Sequence, residues 1–289
     1  MAANEAQQGT SECDESPGGV FQQGGMGVLW SSGAAMRARS LGPATELMLD
    51  LAQMQAGDRV LDVAAGTGET SILAARRVGP TGQVLATDIS ASMLEVAAQD
   101  AQKAGLSNIE TRTLDAQSMD LPSESFDAVI SRMGIMLMPD RHLALAEMRR
   151  VLKPGRRLAV IVWATAERNL SSLLPQLIAR RHAKLPPPAP DAPGMFALGA
   201  PGLLERTLSE AGFQNVVVRA TPAPRHFSSS EEMTRYITTA TPMLHESLSK
   251  LDDDGRAAML AEIEETMRQF EGPDGLTFAG EVLVGVGTR

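Results

Sequence analysis

The chain has 289 residues, 43% of them hydrophobic, with 26 Lys and Arg against 35 Asp and Glu for a formal net charge of -9. That length and apolar content support a packed core and exclude fibrous or wholly disordered chains. The acidic balance argues against binding nucleic acid, and the one cysteine, Cys13, cannot form an internal disulfide.

The opening lacks the basic-then-apolar order of a secretory signal and the arginines of a transit peptide. The most apolar run, LAVIVWA at 158–164, is far short of the roughly 20 residues that span a bilayer. A cytoplasmic protein with no membrane span is expected. Residues 1–27 are rich in Gln, Gly, Ser and Glu, which predicts a flexible tail ahead of one domain over 28–289.

Leu47, Leu51 and Met54 fall at helical spacing, with Pro43 as the predicted first-turn residue and Gly57 after the end. RVLDVAA at 59–65 then reads as a strand that runs into GTGETS and a helix. QVLATDIS is a second strand, followed by a helix capped by Ser90 and stopped at Gly105. IETRTLDA at 109–116, FDAVISRMGIML at 126–137 and RRLAVIVWA supply three more strands, the last two separated by a helix that Asp140 can cap. Apolar strands alternating with helices predict an α/β fold, a doubly wound parallel sheet covered on both faces.

Beyond Trp163 the proline-rich KLPPPAPDAPG at 184–194 must be an extended loop. A helix ending at Gly212 leads into FQNVVVRA, and FSSSEEMTRYI carries two overlapping capping boxes, Ser228 with Glu231 and Ser229 with Glu232. TFAGEVLVGVGT closes the chain as one last strand. Helical cover for a substrate is expected at about 165–200 and 228–271.

The chemistry concentrates in VLDVAAGTGET. Glycines at a strand-to-helix turn let backbone and ligand approach closely, and the helix start offers free amide donors. Asp88, about 20 residues on, ends the second strand where a carboxylate can accept both ribose hydroxyls. Asp115 ends the third strand within reach of an adenine amino group. Three successive strand ends thus outline a nucleoside site. A nicotinamide-dependent oxidoreductase fits these features too, but the third glycine of G-x-G-x-x-G is absent, and Glu69 at the helix start is expected to repel a pyrophosphate.

VLDVAAGTGET, VLATDIS with ASML, LDAQSMDLP, FDAVISRMGIMLMPD and EMRRVLKPGRRLAVIVW together resemble the ordered motifs of class I SAM-dependent methyltransferases, most nearly the ubiquinone/menaquinone-biosynthesis C-methyltransferase type. The resemblance spans about 59–163 and implies a Rossmann-like seven-stranded sheet with an antiparallel last strand and SAM as methyl donor. It implies that Asp62, Gly66, Thr67 and Gly68 hold the methionine portion, Asp88 the ribose, Asp115 with Ala116 the adenine, and Ser131 the cofactor near the fourth strand end, with Ile89 a further cofactor contact. Arg156 departs from the family, whose loop often has a second glycine there, in a turn expected to be remote from the cofactor.

The acceptor is expected to be a small, mostly apolar metabolite, since the regions flanking the core motifs, at about 20–45 and 165–250, carry Phe21, Trp30, Phe196, Phe227 and Tyr236 alongside Met26, Met36, Met195, Met233 and Met243. Trp30, Met36, Met133, Phe196 and Tyr236 are the candidate substrate contacts. No histidine has metal-ligand spacing, and His245 and Tyr236 are the candidates for a general base. A methyltransferase-like module that binds SAM and transfers nothing is the remaining alternative. Oligomeric state cannot be read from the sequence.

Overall fold

The computed structural model describes residues 26–239 and 244–289. Most of the expected tail lies outside the described residues; its last two, Met26 and Gly27, open a helix, α1 (Met26–Ser32). The next helix, α2 (Ala34–Leu51), begins well before Pro43, which sits inside it. Leu41, Ala44 and Met48 form one buried stripe on either side of the proline, so tertiary burial outweighs the single backbone bond that proline removes.

From there the expected alternation holds: β1 (Arg59–Val63), α3 (Glu69–Val78), β2 (Gln83–Asp88), α4 (Ala91–Lys103), β3 (Ile109–Thr113), β4 (Phe126–Arg132), α5 (Arg141–Val151) and β5 (Leu152–Trp163). Asp140 caps α5 as expected, accepting from the backbone N–H groups of His142 and Leu143 at 3.0 Å each. Then follow α6 (Leu170–His182), α7 (Leu203–Glu210), β6 (Gln214–Pro222), β7 (Arg225–Phe227), α8 (Ser230–Thr239), α9 (His245–Ser249), α10 (Asp253–Arg268), β8 (Glu271–Gly272), β9 (Gly275–Phe278) and β10 (Glu281–Thr288).

Seven strands form one sheet in the order β3-β2-β1-β4-β5-β10-β6. Neighbours from β3 to β5 are parallel, and β10 runs antiparallel to both β5 and β6. The last strand is therefore antiparallel, as expected. Val129, Ile130, Ala159, Val160 and Ile161 are fully buried because helices cover both faces. The winding reverses between β1 and β4, which puts a crevice at their C-terminal ends.

The sequence also hides a second sheet, β7-β9-β8, all antiparallel. TFAGEVLVGVGT is two strands, not one, broken at Ala279 and Gly280. Ala223 N–H donates to Gly280 O at 2.7 Å, and a β-carbon on Gly280 would collide with Ala223 O. With Met36, Ile178 and Ala179 of α6, and apolar faces of α8 and α10, this small sheet encloses a second core distinct from that of the large sheet. In the capping region, Ser229 Oγ accepts from Glu232 N–H at 3.1 Å, while the Glu232 carboxylate returns to Ser228 rather than Ser229. Among the described residues no helix is long and apolar enough to cross a membrane.

Candidate active site

β1 ends in a run of left-handed residues. Ala64, Gly66 and Gly68 have φ of 57°, 56° and 78°, turning the chain sharply into α3. At Gly68 a β-carbon would stand 2.7 Å from Ala97 Cβ, so α4 packs directly on the turn and glycine is required. At Gly66 the nearest atom to such a carbon is Trp30 Nε1 at 3.7 Å, so α1 lies over the turn from outside. Thr67 is buried between them.

Asp62 is fully buried near the C-terminal end of β1. Ser71 Oγ donates to its Oδ2 at 2.6 Å, and its Oδ1 has no partner. Burial pushes its carboxyl up to about 7, opposed by Ser71 and the Arg132 charge and reinforced by Asp88. Two residues beyond Asp62, the backbone meets β4: a β-carbon on Gly134 would stand 2.5 Å from Ala64 Cβ and 2.9 Å from Ser131 Oγ. Ser131 is likewise fully buried with a partnerless hydroxyl. Two orphaned polar atoms on paired strands, an acceptor and a hydroxyl, fit the charged end of an amino-acid-like ligand.

Asp88 closes β2. Its carboxylate accepts from Gly66 N–H and Ser90 N–H at 2.9 Å each, so it ties the glycine turn to the start of α4. Burial raises its carboxyl, with those backbone bonds and one from Ile89 opposing. Ser90 was expected to be the cap, but its side chain makes no capping bond and faces Ser92 Oγ at 3.2 Å. Ile89 is 40% exposed, an apolar surface beside the carboxylate. Asp115 lies two residues past the end of β3, exposed, its Oδ1 accepting from Gln117 N–H at 2.8 Å, with Ala116 half-buried beside it.

Glu69 does not act as the expected repulsive charge. Its carboxylate is ion-paired with Arg37 of α2 and, at 2.5 Å, with Arg132 at the end of β4. Burial alone would raise the Glu69 carboxyl, but the two guanidinium groups outweigh it and hold it below the ordinary range. Two cations around one anion leave no net negative field there, so the electrostatic argument against a pyrophosphate fails. Arg37 also donates to Trp30 O at 2.7 Å and lies 4.3 Å above its ring, which fastens α1 to the site. Arg156 is indeed remote, paired with Asp58 just before β1 at the opposite edge of the sheet.

The acceptor candidates separate in space. Trp30 and Met133, the latter left-handed at φ 63°, flank the crevice. Phe196 packs half-buried on the large core, in a loop joined to the β4 side by Gly194 N–H donating to Met136 O at 2.9 Å. Met36 is buried in the second core. Tyr236 sits at that core's rim, 5.6 Å from the Phe227 ring. His245 opens α9 next to Glu246, which pairs with Arg180 in the last turn of α6, so it stands at the far end of that helix from Ser172. Phe21 and Met243 lie outside the described residues, as does the Met26 side chain. The sequence reading missed Arg37, Arg132 and Arg225, because isolated arginines in helices and strands carry no spacing signal.

Residues 54–184 match a family model described as a methyltransferase domain. The ubiquinone/menaquinone biosynthesis C-methyltransferase UbiE of Teredinibacter turnerae is 40% identical over 123 residues, 42% of this chain and 49% of the relative. The chain thus spans about half the length of the curated relatives it matches. Among solved structures, the YcgJ protein of Bacillus subtilis has a TM-score of 0.58 at 20% identity, covering 86% of this chain and 98% of that one. A SAM-dependent methyltransferase of Aquifex aeolicus has a TM-score of 0.51 at 22% identity, covering 69% and 93%. The fold is that of the class I methyltransferases, and the part of the chain that matches the methyltransferase-domain family is residues 54–184.

Proposed function

We propose that this chain transfers a methyl group from SAM to a small, mostly apolar metabolite in the cytoplasm, without nucleic acid as substrate. The observation that carries the reading is the convergence at one sheet edge of the glycine turn, the Asp88 carboxylate and the orphaned Asp62 Oδ1 and Ser131 Oγ. Asp62, Gly66, Thr67, Gly68 and Ser131 would hold the methionine portion, Asp88 with Ile89 the ribose side, and Asp115 with Ala116 the adenine. When bound, SAM supplies a methyl group made electrophilic by its sulfonium.

The protein's share of the work is then alignment and exclusion of water. Trp30 covers the glycine turn from outside, and Arg37 fastens it. On the other side, the cover at about 165–200 and 228–271 closes around the acceptor. A general base is needed only for an acceptor whose proton must leave early, and Tyr236 is better situated for that than His245. The likeness to quinone-biosynthesis C-methyltransferases supports quinone-like and phenolic acceptors as the first to test.

Calorimetry with SAM, S-adenosylhomocysteine, NAD and NADP tests the cofactor, and labelled SAM offered with quinones, phenols, amines and thiols tests the transfer. Binding of the first two ligands alone, with label reaching one acceptor class, is the expected result. NADP binding with no response to SAM would overturn the reading, and SAM binding with no transfer to any acceptor would favour a non-catalytic module.

A further inference from the structure

Arg225 is a buried cation that, among the described residues, has no acid paired with it. It opens β7, is 7% exposed, and among the described residues has one hydrogen-bond acceptor, Ser172 Oγ of α6 at 2.8 Å. Its guanidinium lies 4.5 Å over the ring of Trp163, and Tyr236 is the titratable group that acts on it electrostatically. Nearby arginines are treated differently: Arg37 and Arg132 share Glu69, Arg180 holds Glu246 and Arg181 holds Glu262. An arginine cannot shed its proton to escape burial, and a hydroxyl and an aromatic face compensate only part of the lost hydration. Burial accordingly pushes its pKa down from the ordinary value.

Its position connects it to the chemistry. Trp163 is the last residue of β5, whose Ile161 pairs with Arg132 and accepts from Met133 N–H at 2.8 Å. Arg225 therefore sits at the C-terminal edge of the sheet, one strand over from Ser131. It stands where the large core, through Trp163, meets the second core, through Phe227 and Tyr236. Apolar walls around a single planar cation describe a site for an apolar molecule bearing one oxyanion, because the guanidinium fork matches such a group in geometry as well as charge.

The geometry points to Arg225 as the residue that recognises an anionic oxygen, carboxylate or phenolate, on the methyl acceptor. This rests on the methyltransferase reading and adds to it the charge of the substrate and the group that selects it. Arg225 is a positioning residue: it fixes the acceptor and favours its ionised form.

The test uses the full chain saturated with S-adenosylhomocysteine and two kinds of probe. Naphthoate is compared with its neutral amide, which distinguishes a carboxylate, and para-nitrophenol reports through its coloured phenolate whether ionisation is favoured on binding. The expected result is that wild type prefers naphthoate over the amide by tenfold or more, or binds para-nitrophenol with its apparent pKa lowered. Arg225→Gln should abolish the preference, Arg225→Lys should keep part of it, and both should hold S-adenosylhomocysteine as wild type does. Equal binding of acid and amide by wild type together with an unshifted nitrophenol would overturn the inference, as would a preference unchanged in Arg225→Gln. Should the variants fail to fold, the wild-type comparisons still decide. Failure to bind S-adenosylhomocysteine would instead count against the methyltransferase reading itself.

Discussion

Trp30 rests on Gly66, its indole nitrogen 3.7 Å from where a β-carbon on that glycine would lie. Arg37 makes the contact durable by stacking on the indole, donating to Trp30 O and pairing with Glu69, the first residue after the turn. Arg37 thus ties α1, which also packs on α4 through Gly27, to the glycine turn.

Glu69→Gln should unlatch it and leave two poorly compensated guanidinium groups. The expected cost is about 3 kcal/mol, the low end for breaking a buried ion pair. That corresponds to a fall in Tm of roughly 6–12 °C for a chain of this size. Because the Glu69 carboxyl is held below its ordinary 4.5, its contribution is present above that pH and lost as pH falls through the folded value. Thermal melts of both proteins across acid pH should therefore converge.

Asp62 has the opposite sign. Its folded carboxyl sits at about 7 against an ordinary 3.8, so its effect on stability is favourable below 3.8 and lost as pH rises toward 7. Asp62→Asn can keep the acceptor for Ser71 without carrying a charge. The ligand-free variant is expected to melt above wild type at pH 8, with that advantage much reduced at pH 5, while its affinity for SAM falls. A variant that is less stable at both values would remove the burial of charge as the cause.

Asp88→Ala is expected to weaken SAM binding by about 1.5–3 kcal/mol, the range for hydrogen bonds to a charged group. Calorimetry should show that loss, and unchanged affinity would take Asp88 out of the site.

The two glycines of the turn should respond unequally. Gly66→Ala meets only Trp30 at ordinary contact distance, so it costs the left-handed backbone alone, about 1–2 kcal/mol. Gly68→Ala adds an overlap with Ala97 at 2.7 Å and should cost distinctly more. Urea unfolding of the pair ranks them.

Deleting residues 1–35 removes Trp30 but spares Arg37 and the sheet. S-adenosylhomocysteine binding is expected to stay within about tenfold, 1.4 kcal/mol, while methyl transfer falls steeply. Full turnover by the truncated chain would leave the acceptor pocket to the C-terminal cover alone.

The sheet was legible because its buried strands are continuous apolar runs closed by glycine and proline, and the glycine turn with Asp88 was legible because spacing along the chain sets spacing across adjacent strand ends. What escaped depends on partners distant in sequence. Glu69 reads as a lone acid until Arg37 and Arg132 are brought to it, 32 and 63 residues away. Pro43 reads as a helix start because nothing local reveals that the turns before it, through Met36 and Leu41, are buried against other elements. β7 and β8 are too short for any period to show, so the second sheet, and Arg225 within it, had no signature.

That small sheet leaves and rejoins the large one at a double neck. Only Ala223 and Pro224 separate β6 from β7, only Ala279 and Gly280 separate β9 from β10, and the two strips are joined by the Ala223 to Gly280 hydrogen bond. Two such short straps, stitched to each other, give the C-terminal cover almost no slack with which to swing. The N-terminal side is built differently: α1 is packed on α4, with Gly27 against Ser92 and Val96, and tied to α2 by Arg37, with no strand among the described residues joining it to either sheet.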